Sequence, residues 1–189
     1  LRRREGLPAL DLAEMTKYVS HGALGLINAG FADSSPEQLE ERRLAFLAHY
    51  AKRSYQESRL FDGVTDLLDH MNRSAIPWGI VTNKPAFLTD PLSADFGFDQ
   101  RCACIVSGDT LPRCKPHPDP ILHACAQVGI APQQTIYVGD AERDIEAGRR
   151  AGTRTLAARW GYLRETDRIE QWGADAVIDA PLEILEWLH

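Results

Sequence analysis

Long apolar runs are missing from these 189 residues. None approaches the ~20 residues that a membrane-spanning helix needs, so no membrane partner is expected. An excess of basic residues is missing too. The formal charge is −6, whereas a chain that neutralises nucleic-acid phosphates needs the opposite sign. The four cysteines, Cys102, Cys104, Cys114 and Cys125, form no C-x-x-C pair and are too few for a disulfide framework, which points to reduced thiols in the cytoplasm. Arg2, Arg3 and Arg4 precede no apolar stretch, so they do not open a signal peptide. Residues 1–57 carry no strand signal, and every parallel strand expected here follows residue 75. A chain that opens on Leu1, already in helical sequence, is expected to be preceded by further residues.

What is present falls into two textures. Ser35-Pro36-Glu37-Gln38 starts a helix, with Ser as N-cap, Pro at the first helical position and Gln in the capping-box position. Leu39, Leu44, Leu47 and Ala51 then recur at near-helical spacing. An earlier helix is expected from Asp11 to Tyr18, interrupted at Ser20-His21-Gly22-Ala23. Residues 1–57 thus read as a small helical module. From residue 58 onward the pattern alternates. Val64, Leu67, Leu68 and Met71 mark an amphipathic helix. Strands are expected at 78–81, 104–107, 135–138, 155–158 and 176–178. Pro116, Pro118 and Pro120 hold a loop before a helix with Ile121, Leu122, Cys125 and Val128, and a last helix holds Leu182, Ile184, Leu185 and Leu188. Strands alternating with helices mean βαβ units, a parallel sheet and helices on both faces.

The stretch Thr135-Ile136-Tyr137-Val138-Gly139-Asp140 is the most telling. An apolar strand stops at a glycine and an aspartate follows at once. Asp144 lies one helical turn further, so the two carboxylates can converge where open α/β sheets place their ligands. Paired carboxylates there suit Mg²⁺; a solvated acidic first turn is the plainer reading. Two other places carry polar groups. Thr82 and Asn83 end the strand at 78–81, where a hydroxyl and backbone N–H groups could meet phosphoryl oxygens; a capped turn is the alternative. Lys115 sits in Cys-Lys-Pro-His-Pro-Asp-Pro, where prolines restrict its backbone; a solvated loop lysine is the alternative. His117 and His123 lack metal-ligand spacing and read as structural. Gly148 and Gly152, beside Ala147 and Ala151, read as small residues that let a helix approach the sheet.

Taken in order, Ile80-Val81-Thr82-Asn83-Lys84-Pro85, Lys115-Pro116-His117-Pro118 and Val138-Gly139-Asp140 through Asp144 form a set that resembles the haloacid dehalogenase-like superfamily of phosphatases. The likeness covers nearly the whole chain. It is similar to the phosphoglycolate phosphatase branch, and within it to bacterial N-acetylmuramic acid 6-phosphate phosphatases, through Val81–Pro85, Gly152-Thr153-Arg154-Thr155 through Gly161-Tyr162, and Trp172-Gly173-Ala174-Asp175. The resemblance implies an α/β protein: a Rossmann-like parallel-sheet core at 58–189 and a small α-helical cap at 1–57. It implies a Mg²⁺-dependent phosphatase of a small phosphorylated metabolite, N-acetylmuramic acid 6-phosphate or 2-phosphoglycolate, in the cytoplasm, as monomer or homodimer.

By the same resemblance Asp140 and Asp144 are metal residues, Asp144 either as ligand or as a holder behind it. Thr82 and Lys115 are catalytic, Thr82, Asn83 and Lys115 bind phosphate, and Ser20, His21 and Gly22 face the substrate from the cap. The family also needs an aspartate nucleophile at the end of its first, central strand and a second aspartate two residues later. No such Asp-x-Asp follows an apolar strand here. That strand would lie between those at 78–81 and 135–138, and an additional N-terminal segment is expected to fill the slot. Without it two buried edges lack partners, at ~1–3 kcal/mol for each unsatisfied group. The alternatives are a binding protein that lacks the nucleophile, a phosphate-accepting receiver domain and a halide-releasing dehalogenase.

Overall fold

The computed structural model describes residues 1–53, 56 and 58–188. They group into two units, Leu1–Glu57 with Tyr162–Thr166, and Ser58–Gly161 with Asp167–His189. The first unit is helical. α1 (Leu12–Thr16) is capped by the Asp11 carboxylate, which accepts from the Ala13 N–H. α2 (Gly22–Gly30) starts at a glycine with φ 65°, a left-handed value that strains any L side chain. α3 (Pro36–Ala51) begins with the expected reciprocal bonds between Ser35 and Gln38.

The second unit alternates as expected. α4 (Val64–Arg73) buries Leu67, Leu68 and Met71. β1 (Gly79–Val81) leads into α5 (Ala86–Asp95), then β2 (Cys104–Val106) and α6 (Asp119–Val128). β3 (Ile136–Gly139), α7 (Glu142–Ala151), β4 (Arg154–Ala158) and β5 (Ala176–Ile178) follow. Two expectations change, and α5, with Pro91 inside it, lies where none was stated. Pro120 belongs to the first turn of α6, where a proline costs no helical hydrogen bond, and not to the loop. The last helical segment, Pro181–Trp187, is 3₁₀.

Every strand pair is parallel, but the strands form two sheets, β1-β2 and β3-β4-β5. Alternation along β3 sends Ile136 and Val138 to a core with Leu67, Leu68, Leu156 and Ile184. It sends Tyr137 to a second core with Ile121, Cys125, Ala147 and Ala151. Helices therefore cover both faces. The Cα of Gly148 lies so near β4 that a Cβ would sit 2.5 Å from Thr155 Cγ2. Gly152 has no such neighbour; it ends α7 at φ 81°, so its role is conformational rather than close packing.

Backbone direction shows what separates the two sheets. Trp78 O and Thr82 N–H bond to β2, so the N–H and C=O groups of Gly79 and Val81 turn to the other edge. Arg154 N–H bonds to Thr135 O, so those of Ile136 and Val138 turn away from β4. Between these edges lies a cavity of about 870 Å³, bounded at the sides by Gly79–Val81 and Thr135–Val138. Leu67 and Met71 line it from one helical layer, Ile121 and Cys125 from the other.

Candidate functional site

Lys115 reaches this site from the loop before α6, and its extended stem is buried. Its Nζ donates to Val81 O at 2.8 Å and to Tyr137 Oη at 2.8 Å. The same nitrogen lies 2.7 Å from Asp144 Oδ1. Lys115 and Asp144 thus form a buried ion pair. Tyr137 in turn donates to Val81 O at 3.1 Å. Lysine, tyrosine and aspartate thus meet at the carboxyl ends of β1 and β3.

The electrostatics follow from burial and this pairing. Burial pushes the Tyr137 hydroxyl up to about 12, and Asp144 and Asp140 add to the rise against the opposing pull of Lys115. For Lys115, burial works against the charged form. Tyr137 and Asp144 outweigh it and carry the ammonium above the ordinary lysine range. Removing Lys115 would strand a buried carboxylate, the costly way to break such a pair.

Glycines bring the carboxylates into place. A Cβ at Gly139 would collide with the side chain of Asp144, and one at Gly161 with that of Asp140. Asp140 follows β3 directly and Asp144 lies in the first turn of α7. The pair fits a divalent cation by its chemistry: two carboxylates, so placed, supply the hard oxygen donors such an ion takes. Among the described residues no group of three or more His, Cys, Asp or Glu gathers for a metal, so these two would need ligands from elsewhere.

At the β1 end, Thr82 Oγ1 accepts from the Lys84 N–H at 3.1 Å, which leaves the hydroxyl proton to donate. Asn83 spends its amide on Lys115: Nδ2 donates to Lys115 O at 2.9 Å, and Oδ1 accepts from Lys115 N–H at 3.0 Å. Its own backbone N–H is then the group that could face a phosphoryl oxygen. Ser20, His21 and Gly22 belong to the other unit. There Ser20 Oγ donates to Tyr162 O at 3.0 Å, and His21 precedes α2. His117 Nδ1 accepts from the Asp119 N–H at the start of α6, a structural contact. Tyr137 is the site residue the sequence reading passed over. The signal was available: a tyrosine in a buried strand must find a partner for its hydroxyl.

Residues 6–158 match the model of a family described as haloacid dehalogenase-like hydrolase. An N-acetylmuramic acid 6-phosphate phosphatase of Pseudomonas aeruginosa is 40% identical over 190 residues, covering 100% of this chain and 84% of that protein. A phosphoglycolate phosphatase of Xanthomonas campestris pv. campestris is 39% identical over 181 residues, covering 96% of this chain and 82% of that protein. Among solved structures, a predicted phosphoglycolate phosphatase from Haemophilus somnus superposes with a TM-score of 0.85 at 25% identity, covering 99% of this chain and 86% of that one.

Proposed function

Because this chain belongs to the haloacid dehalogenase-like hydrolase family, we propose that it completes a Mg²⁺-dependent phosphatase acting through an aspartyl-phosphate. The observation that carries this reading is the meeting of Lys115, Asp144 and Tyr137 beside an open strand edge. The edges of β1 and β3 present backbone donors and acceptors to one cavity, and apart from Val81 O, which already accepts from Lys115 Nζ and Tyr137 Oη, a single parallel strand would satisfy both. An aspartate at that strand's carboxyl end would lie near Lys115 and the Asp140–Asp144 pair.

In this reading that aspartate attacks phosphorus, the P–O bond to the leaving group breaks, and a second aspartate gives the departing oxygen its proton. Water, deprotonated by that second group, then releases phosphate from the acyl phosphate. Lys115 lowers the repulsion between carboxylate and phosphoryl oxygens, while the Thr82 hydroxyl and the Asn83 backbone N–H orient them. Asp140 and Asp144 would hold Mg²⁺, whose charge neutralises phosphoryl oxygens when bound. Residues 1–57 serve as a cap, with Ser20, His21 and Gly22 selecting the substrate.

N-acetylmuramic acid 6-phosphate is the first substrate we assign and 2-phosphoglycolate the second, supported by the relatives' names. Four unpaired cysteines support a cytoplasmic setting, and no helix among the described residues is long and apolar enough to cross a membrane. The test is phosphate release from both esters by the protein made from its complete reading frame, with Mg²⁺ and with EDTA. Release from the sugar ester that EDTA abolishes is expected. EDTA-insensitive turnover, or none on any phosphate monoester, contradicts the proposal.

A further inference from the structure

We infer that Asn83 is a positioning residue: its side-chain amide brackets the Lys115 backbone and so sets where the Lys115 ammonium stands. The inference rests on the reading of Lys115 as the phosphoryl-facing cation. Asn83 and Lys115 are 32 positions apart, on different loops, yet they form a closed pair of hydrogen bonds of 2.9 and 3.0 Å. The orientation of the amide is determined by its partners. A backbone N–H can only donate and a backbone C=O can only accept, so one flip state alone makes both bonds.

The bracket has a rigid base. A Cβ at Gly108 would overlap the backbone of Asn83, and Gly108 N–H donates to Lys84 O at 2.8 Å. Thr82 Oγ1 closes the same turn by accepting from Lys84 N–H. The turn after β1 is therefore held from both sides, and Asn83 transmits its position to the Lys115 loop. At the other end of Lys115, Nζ meets Val81 O, two residues before Asn83. The lysine is tied at its backbone and at its amine to a single three-residue stretch of chain. Such anchoring removes rotamer freedom before any anion arrives, the preorganisation that positions a charge for phosphoryl transfer.

Asparagine offers its donor and its acceptor as two separate atoms of one planar amide, which lets it meet the N–H and the C=O of a single residue at once. Asn83→Asp keeps the size and the acceptor but replaces the donor, setting a carboxylate oxygen against Lys115 O. The experiment is competitive acylation of lysines in the protein from its complete reading frame, read by mass spectrometry, with Lys52 as the exposed standard. Alkylation of buried Cys125 reports any global opening.

In Asn83→Asp, Lys115 should acylate at least ~10-fold faster than in wild type, with Cys125 unchanged; in steady-state assays kcat should fall further than KM rises. Asn83→Ser, with one hydroxyl in place of the amide, should give an intermediate effect and serves as well should the Asp variant fail to fold. Unchanged Lys115 acylation in either variant overturns the inference. A loss of turnover without that change would make Asn83 a direct substrate ligand. The labelling needs no catalysis, so it decides the bracket even where the phosphatase reading itself fails.

Discussion

β3 and β4 are neighbours in one sheet, yet they differ in a direction their sequences do not suggest. β3, Ile-Tyr-Val-Gly, is the more apolar and bulky, but all four of its residues stay partly exposed. β4 contains Thr155, Ala157 and Ala158 and is buried everywhere except Arg154. The difference is in neighbours. β4 pairs on both sides, with β3 and β5; β3 pairs on one side only and borders the cavity on the other. Burial in a doubly covered sheet is conferred by what lies alongside, and β3 carries the composition of a central strand.

The largest expected effects are on turnover. Asp140→Asn in the protein from its complete reading frame should lower kcat by ~10²–10³-fold or more, with the melting transition near wild type. Lys115→Ala should cost as much turnover and also stability, since Asp144 is left buried and unpaired. Steady-state rates beside thermal melts separate the two. A near-wild-type rate in either variant would detach the β3 end from catalysis.

Stability comes next and sharpens the comparison directly. Leu156→Ala in β4 removes a fully buried side chain and should cost ~2–5 kcal/mol in denaturant unfolding. Ile136→Ala in β3 should match it where a strand fills the gap, and cost less than ~2 kcal/mol where the edge stays open. The smaller effects distinguish space from conformation on α7. Gly148→Ala forces a Cβ against Thr155 and should cost ~1–3 kcal/mol. Gly152→Ala meets nothing closer than Gln133 Nε2 at 3.6 Å, an ordinary contact, at φ 81° and should cost ~1 kcal/mol, with Gly152→Asn less damaging. Equal losses for Ala and Asn at 152 would point to packing instead.

Much of this architecture was legible because its signals are local. The Ser35–Gln38 cap, the Leu67–Leu68–Met71 stripe and the strand that stops at Gly139-Asp140 each need only a few adjacent residues. α5 has Pro91 inside it, and whether a helix runs through a proline depends on tertiary context that the local sequence does not carry. The 3₁₀ form of Pro181–Trp187 was hidden because apolar spacing does not separate it from an α-helix over two turns. At the site, Asp144 and Lys115 could be named from motif order, but not their contact, which joins segments 29 positions apart. The bracket by Asn83 was invisible for the same reason: nothing in Thr-Asn-Lys-Pro says where an amide will find a backbone. Tyr137 reads only as part of an apolar strand, although a buried tyrosine hydroxyl requires a partner, here Val81 O and Lys115 Nζ.

Amide hydrogen exchange at Gly79, Val81, Ile136 and Val138 tests the central claim most directly, made on the protein from its complete reading frame. These four N–H groups face the cavity between the sheets. A strand seated there should slow their exchange to that of the β4 amides. Exchange at the rate of an open edge, in a protein that still hydrolyses phosphate esters, would contradict the account.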